Sequence, residues 1–314
     1  MYQEERPFSE LTVQHSESHP SRSLVLAAYG AIYIIWGSTY LAIMYAVDTL
    51  PPFFMAGIRF CVAGAVIYAW TRWRGLEAPT RTEWWNATKV SLLLIVGGTS
   101  TVAWGEQWVP SGIAALLLAT VPLWMILAEW VGPDRIRPSA WALVGVFLGL
   151  VGIAVLIGPE LIAESEEIHF WGTIVILASA VVWVIGSLYA RHVRLPASSA
   201  VSNGIEMFAG GTASILIGFL LGEHHQLHLE RISTESIIAL VYLITFGAII
   251  AFSAYMWLLR VSSPSRVATH AYVNPVVAVL LGWVIANESV TPRTGIAMLI
   301  IVGAVVLITS TSRD

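Results

Sequence analysis

The sequence predicts an all-α polytopic membrane protein whose ten transmembrane helices form two inverted five-helix repeats, and three observations predict it. Of the 314 residues, 57% are hydrophobic and 11% charged, against about 25% charged in an ordinary soluble domain, so most of the surface must meet something other than water. Apolar runs of roughly 20 residues recur along the chain, each long enough to cross a hydrocarbon layer about 30 Å thick with its backbone hydrogen bonds closed internally. The two halves also repeat one another at matching positions.

Residues 1–22 are polar, rich in Ser and Glu, and read as a disordered cytoplasmic tail rather than a signal peptide. Hydropathy then places spans at 24–47, 52–71, 87–107, 110–131, 139–157, 170–192, 199–222, 235–259, 264–286 and 293–311. Pro51-Pro52, Pro110, Pro138, Pro264 and Pro292 stand where helices begin, a position that tolerates a residue without an N–H. The first repeat covers 23–158, an external linker 159–169 and the second repeat 170–311.

Ten spans put both termini on one side, and the basic residues say which. With cytoplasmic termini, 13 of the 16 Arg and Lys residues lie in the cytoplasm, Arg231 and Arg293 lie outside and Arg59 lies within a span. This is the bias that orients a membrane protein during insertion. The linker carries Glu160, Glu164, Glu166 and Glu167 without a basic residue, as an external loop would. The net charge of −4 is small and its basic residues are dispersed, which disfavours a nucleic-acid partner. Cys61 is the only cysteine and reads as a packing residue, so no intramolecular disulfide or cysteine-based metal cluster is expected. Glu223, His224, His225 and His228 read as a solvated external loop rather than a metal site.

Trp36 matches Trp183, Gly57 matches Gly204 and Gly64 matches Gly211 at a spacing of 147; Pro110 matches Pro264, Asp134 matches Glu288 and Pro138 matches Pro292 at 154. A unit with an odd number of spans enters the membrane in the opposite sense the second time, the architecture of many secondary transporters. Pro122 and Pro275 fall well inside spans four and nine. There a proline frees the carbonyl four residues back and bends the helix, which makes matching kinks near the midplane a pointer to a binding site. Asn274 adds a polar side chain at the second bend.

Four charges lie in or at the ends of spans. Arg59 corresponds to Glu206 and Glu106 to Arg260, so each half offers one Arg and one Glu with the roles exchanged. The expected pairs are Arg59 with Glu106 and Glu206 with Arg260, because a lone charge deep in a bilayer costs at least about 2.5–3.5 kcal/mol. They read as braces, as gates that break during transport, or as a proton-coupling carboxylate.

Trp70, Trp73, Trp84, Trp85, Trp108, Trp130, Trp141 and Trp171 stand near span ends and read as interfacial anchors. Trp36, Tyr40, Trp104, Trp183, Tyr255, His270 and Tyr272 lie deeper, where they either pack helices or line a cavity for apolar solutes. Gly145, Gly149 and Gly152 form a small-residue ridge in span five, expected to pack against span ten with its Gly295 and Gly303.

WGSTY (36–40), PPFFMAGIRF (51–60), WGEQWVPSGIAALLLATVP (104–122), GSLYAR (186–191), GIEMFAGG (204–211) and AYVNPVVAVLLG (271–282) together resemble the EamA-type branch of the drug/metabolite transporter superfamily, and within it the YedA-like inner-membrane exporters. The resemblance implies a ten-helix transporter of the bacterial inner membrane with cytoplasmic termini; a monomer or homodimer without a cofactor is expected. It also implies a central cavity, which carries over by position to Trp36, Tyr40, Trp104, Trp183, Tyr255, Tyr272 and Asn274. NESV (287–290) matches the acidic turn usual after the ninth helix, whereas the first repeat has PDRI (133–136) with the shorter Asp134.

The function this suggests is a secondary exporter of small metabolites, such as amino acids, or of drug-like compounds, working by alternating access. An importer or exchanger shares every one of these features. A membrane-embedded enzyme is the reading from another class, yet the chain has no HExxH, GxSxG or Walker motif, and Lys89 is its only lysine.

Overall fold

The computed structural model describes residues 21–109, 114, 117–133, 135–164, 170–286 and 291–311, apart from the side chains of Tyr40, 157–164, 282–283, 285–286 and 311. The tail to residue 20, Pro110, Asp134, linker residues 165–169 and Glu288 therefore lie outside the described residues, as does the Tyr40 side chain.

All regular structure among the described residues is helical. Helix α1 spans Arg22–Val47 behind Ser21, whose Oγ accepts the Leu24 N–H at 3.3 Å. Helix α2 spans Pro52–Trp73 with proline in its first turn. Helix α3 spans Arg81–Gly105, beginning at Arg81 rather than at residue 87. Hydropathy overlooks its polar first turns, which a capping box between Thr80 and Glu83 initiates. Helices α4 (Val121–Val131) and α5 (Ala140–Glu164) follow; Ser139 Oγ accepts the Ala142 N–H at 3.0 Å, one residue beyond Pro138.

The second half runs through α6 (Phe170–His192), α7 (Ser199–Leu220) and α8 (Thr234–Val261). Ser198 caps α7 and Ser233 caps α8. The single helix expected over 264–286 is instead a turn of helix at Pro264–Val267, a non-helical step at Ala268–Thr269, and then α9 (His270–Ala286). Helix α10 (Pro292–Thr311) closes the chain.

Among the described residues, seven helices are long and apolar enough to cross a membrane: α1, α2, α3, α6, α7, α8 and the Pro292–Ser310 part of α10. Val121–Val131 and Ala140–Leu156 are apolar but shorter. The outer surface fits lipid, since Leu26, Ile34, Phe147, Leu216, Ile238 and Leu299 are all exposed. Trp73 and Trp171, at helix ends, are 80% and 67% exposed, the position of an interfacial ring.

Helices of the two halves interleave. Helix α1 packs on α8 and α9, while α6 packs on α3 and α4. Helix α2 crosses α7 through glycines: a Cβ on Gly57 would stand 3.0 Å from the Gly211 carbonyl oxygen, and one on Gly64 2.7 Å from that of Gly204. Backbones approach this closely only where side chains are missing. Helix α5 packs along α10, with Gly145 against Ala304 and Ile308 and Gly152 against Ile300 and Ile301. The expected glycine mates on α10 play no part in it, as Gly295 and Gly303 face open space. The largest apolar core gathers Ile32, Phe60, Leu94, Ile95, Phe252 and Tyr255 from helices of both halves.

Candidate functional site

A cavity of about 160 Å³ opens between the halves, with walls from α1, α2, α3, α6, α8 and α9 and from Leu118 and Val121 around the start of α4. Four of the expected lining residues, Trp36, Trp183, His270 and Asn274, face it together with Arg59 and Glu106. Most of the remaining wall is apolar, including Met55, Phe60, Val102 and Phe252, while Thr39, Thr99 and Ser179 add hydroxyls.

Two irregular stretches shape the walls. Helix α3 widens to a π-helix over Leu92–Ser100 and α8 does so over Leu243–Phe252; such widenings often mark functional sites. In α8 the Gly247 carbonyl accepts the Trp36 indole N–H at 3.2 Å. In α3 the corresponding contact is steric, since a Cβ on Gly98 would stand 2.6 Å from the Trp183 ring. The matched tryptophans thus each lie on a glycine in the opposite half's π stretch. Their ring centroids are 5.9 Å apart in an edge-on pair, and His270 stands edge-on to Trp36 at 4.9 Å.

The proline kinks differ from each other. Pro275 lies inside α9; with the Asn274 amide turned so that its nitrogen rather than its oxygen faces them, it donates to the carbonyls of His270 at 3.0 Å and Tyr33 at 3.3 Å, which ties the residue before the kink to α1. Pro122 instead sits in the first turn of α4, just after the turn at Ala119–Thr120. The missing N–H costs nothing there, so this helix restarts rather than bends.

Three expected lining residues are elsewhere. Tyr255 is fully buried behind the wall, its ring 5.1 Å from both Trp36 and Trp183 and its hydroxyl 2.6 Å from Ser187 Oγ. Tyr272 is fully buried between α9 and α5, donating to the Val146 carbonyl at 3.2 Å with its ring over Gly149. Trp104 packs on Trp108 and Phe53, with centroids at 4.5 and 6.3 Å.

Neither expected charge pair forms a direct bridge in this conformation. Arg59 is 4% exposed, its guanidinium beside Gly247 and 4.8 Å from the Phe60 ring, and its Nε has no partner. Glu106 lies just past the end of α3, at the rim of the cavity. Both face one space without meeting, because α2 and α8 hold the guanidinium at Gly247. Glu206 is fully buried and accepts from Ser202 at 2.7 Å, while Arg260 donates to the carbonyls of Pro196 and Ala197 at 3.4 Å each. These last two charges attract across a gap.

A second hollow of about 380 Å³, lined by Asp48, Pro52, Gln107, Gln226, His228 and Arg231 among others, shares Ala103 and Glu106 with the first. Glu106 therefore stands at the neck between them. Glu223 departs from the solvated loop expected of it: 4% exposed, its carboxylate accepts the N–H groups of Phe53 at 3.1 Å and Phe54 at 3.0 Å, capping α2. Burial raises its pKa more than these two bonds lower it. The sequence carries no signal for this contact, because its partners are backbone groups 170 and 169 residues away.

The model of the EamA-like transporter family matches the chain twice, at residues 23–158 and 170–310. The inner membrane transporter YedA of Escherichia coli (strain K12) is 39% identical over 287 residues, covering 91% of this chain and 90% of that one. Protein PagO of Salmonella typhimurium is 23% identical, covering 82% and 85%, and the transporter YoaV of Bacillus subtilis 20%, covering 83% and 88%. A solved crystal structure superposes with a TM-score of 0.71 at 22% identity over 93% of this chain and 99% of its own, which shows a shared fold.

Proposed function

Because the chain belongs to the EamA-like transporter family, we propose that it is a secondary carrier that exports a small solute, a metabolite such as an amino acid or a drug-like compound. Two five-helix halves of opposite insertion rock about the central cavity. The observation that carries this reading is the cavity itself, walled by both halves and shaped by a π stretch in each. The reciprocal packing of α1 on α8 and α9, and of α6 on α3 and α4, supports the inverted relation, since a two-fold operation exchanges these contacts.

The distribution of arginines supports an external position for the hollow around Asp48, Gln107 and His228. On that reading the solute leaves past Glu106, and this conformation is open outward. Coupling runs through protons or through exchange, with Glu106 the carboxylate on the route.

The test is flux in proteoliposomes of purified protein. Solutes that raise its melting temperature are loaded inside and their release followed, with counterflow separating exchange from net export. Chemical conversion of a stabilising solute without any vectorial movement would overturn the carrier reading in favour of a membrane-embedded enzyme. Tags that report Glu164 and Asp314 on one face would overturn the opposed insertion of the halves.

A further inference from the structure

We propose that Arg59 is the anchor for an anionic head group, so that the solutes held in the central cavity are small organic carboxylates with an apolar or aromatic body. The inference rests on the carrier reading and deepens it by naming a substrate class. Arg59 is 4% exposed, lines the cavity, and has neither a hydrogen bond nor an ion pair among the described residues. A guanidinium is always charged and carries five N–H donors in a planar fork that fits a carboxylate. Buried charges of this kind are held by partners, and here the described residues supply none.

The surroundings hold the group in place without neutralising it. The Phe60 ring lies 4.8 Å from the guanidinium carbon, a cation–π contact that positions the group and satisfies no donor. Gly247 leaves room for it, since a Cβ there would stand 2.7 Å from Nη2. The glycine in the π stretch of α8 therefore clears the space that the cation fills.

Around this one cation the lining is apolar and aromatic, with Trp36, Met55, Val102, Trp183 and Phe252. A ligand with a single anionic end and an apolar body matches that division. A fully polar anion would leave the aromatic wall uncovered, and a neutral solute would leave the guanidinium as it stands.

The test uses the purified full-length protein in detergent and matched probe pairs: benzoate, 3-phenylpropionate, indole-3-propionate and hexanoate, each beside its primary amide, with chloride and sulfate as inorganic anions. Thermal unfolding and equilibrium binding are measured on wild type, R59K, R59Q and G247A. At least one carboxylate should stabilise the wild type while its amide does not. R59Q should lose about 10- to 100-fold in affinity for it, R59K should keep part of the preference, and G247A should weaken it by displacing the guanidinium.

Equal binding of acid and amide, unchanged carboxylate affinity in R59Q, stabilisation by chloride or sulfate alone to the same degree, or no stabilisation by any carboxylate would each overturn the proposal. Should R59Q not fold, the acid-to-amide comparison in wild type and the G247A shift still decide it. The carrier reading fails separately: flux of an uncharged solute through the protein would sink the anion anchor and leave the carrier intact, whereas tight carboxylate binding without flux would do the reverse.

Discussion

Gly64 of α2 and Gly204 of α7 meet so closely that a Cβ on the first would stand 2.7 Å from the carbonyl oxygen of the second. Gly57 meets Gly211 in the same crossing. Gly57 corresponds in sequence to Gly204, and Gly64 to Gly211, at a spacing of 147. Each glycine therefore touches the counterpart of the other, the self-complementary pattern that a two-fold axis imposes on an interface. This crossing holds α2 of the first half against α7 of the second.

Gly64→Val should destabilise the protein by about 1–3 kcal/mol or more, because the atoms it would strike are backbone and have nowhere to move. Gly295→Ala, on open space in α10, should be neutral or stabilising by up to about 1 kcal/mol, since alanine favours a helix over glycine. Unfolding of the two variants in detergent checks the contrast, and equal losses would refute the close crossing.

Glu223→Ala removes the acceptor of the Phe53 and Phe54 N–H groups and should cost about 1.5–3 kcal/mol, the range for hydrogen bonds to a charged group. Chain breakage between α1 and α2 under limited proteolysis should rise with it, as the start of α2 frays. Unchanged stability would mean that the cap contributes nothing to α2.

Stability should also depend on pH through the same carboxyl. Its folded pKa is raised by burial, so the folded state holds the proton more tightly than the unfolded chain, whose value is about 4.3. The contribution is complete below that value and declines as pH climbs through the folded pKa. Glu223→Gln, which cannot ionise, should flatten this part of the profile, and a profile identical to wild type would assign the dependence to another group.

Trp36→Ala and Tyr272→Ala should separate binding from folding. Trp36 faces the cavity, so its loss should weaken a stabilising ligand about tenfold or more. Tyr272 fills the space between α9 and α5 away from the cavity, so its loss should cost about 3–5 kcal/mol with ligand affinity retained in the folded fraction. Binding titrations beside unfolding curves read both, and a reversed pattern would move the site toward α5.

The sequence by itself determined the helical class, the apolar segments and the matching of Gly57 with Gly204 and of Gly64 with Gly211, because each follows from local hydropathy or from comparing one half with the other; that the halves cross at these glycines came only with the structure. The sequence also singled out Trp36, Trp183, Asn274 and Arg59, as unusual groups in apolar runs. Only the tertiary structure decided which of them meet. A side chain's direction depends on helix rotation and on irregular turns such as the π stretches of α3 and α8, and no hydropathy pattern encodes either. That is why Tyr255 and Tyr272 are packing residues, why Glu223 caps a helix about 170 residues away, and why Arg59 faces the cavity without a carboxylate beside it.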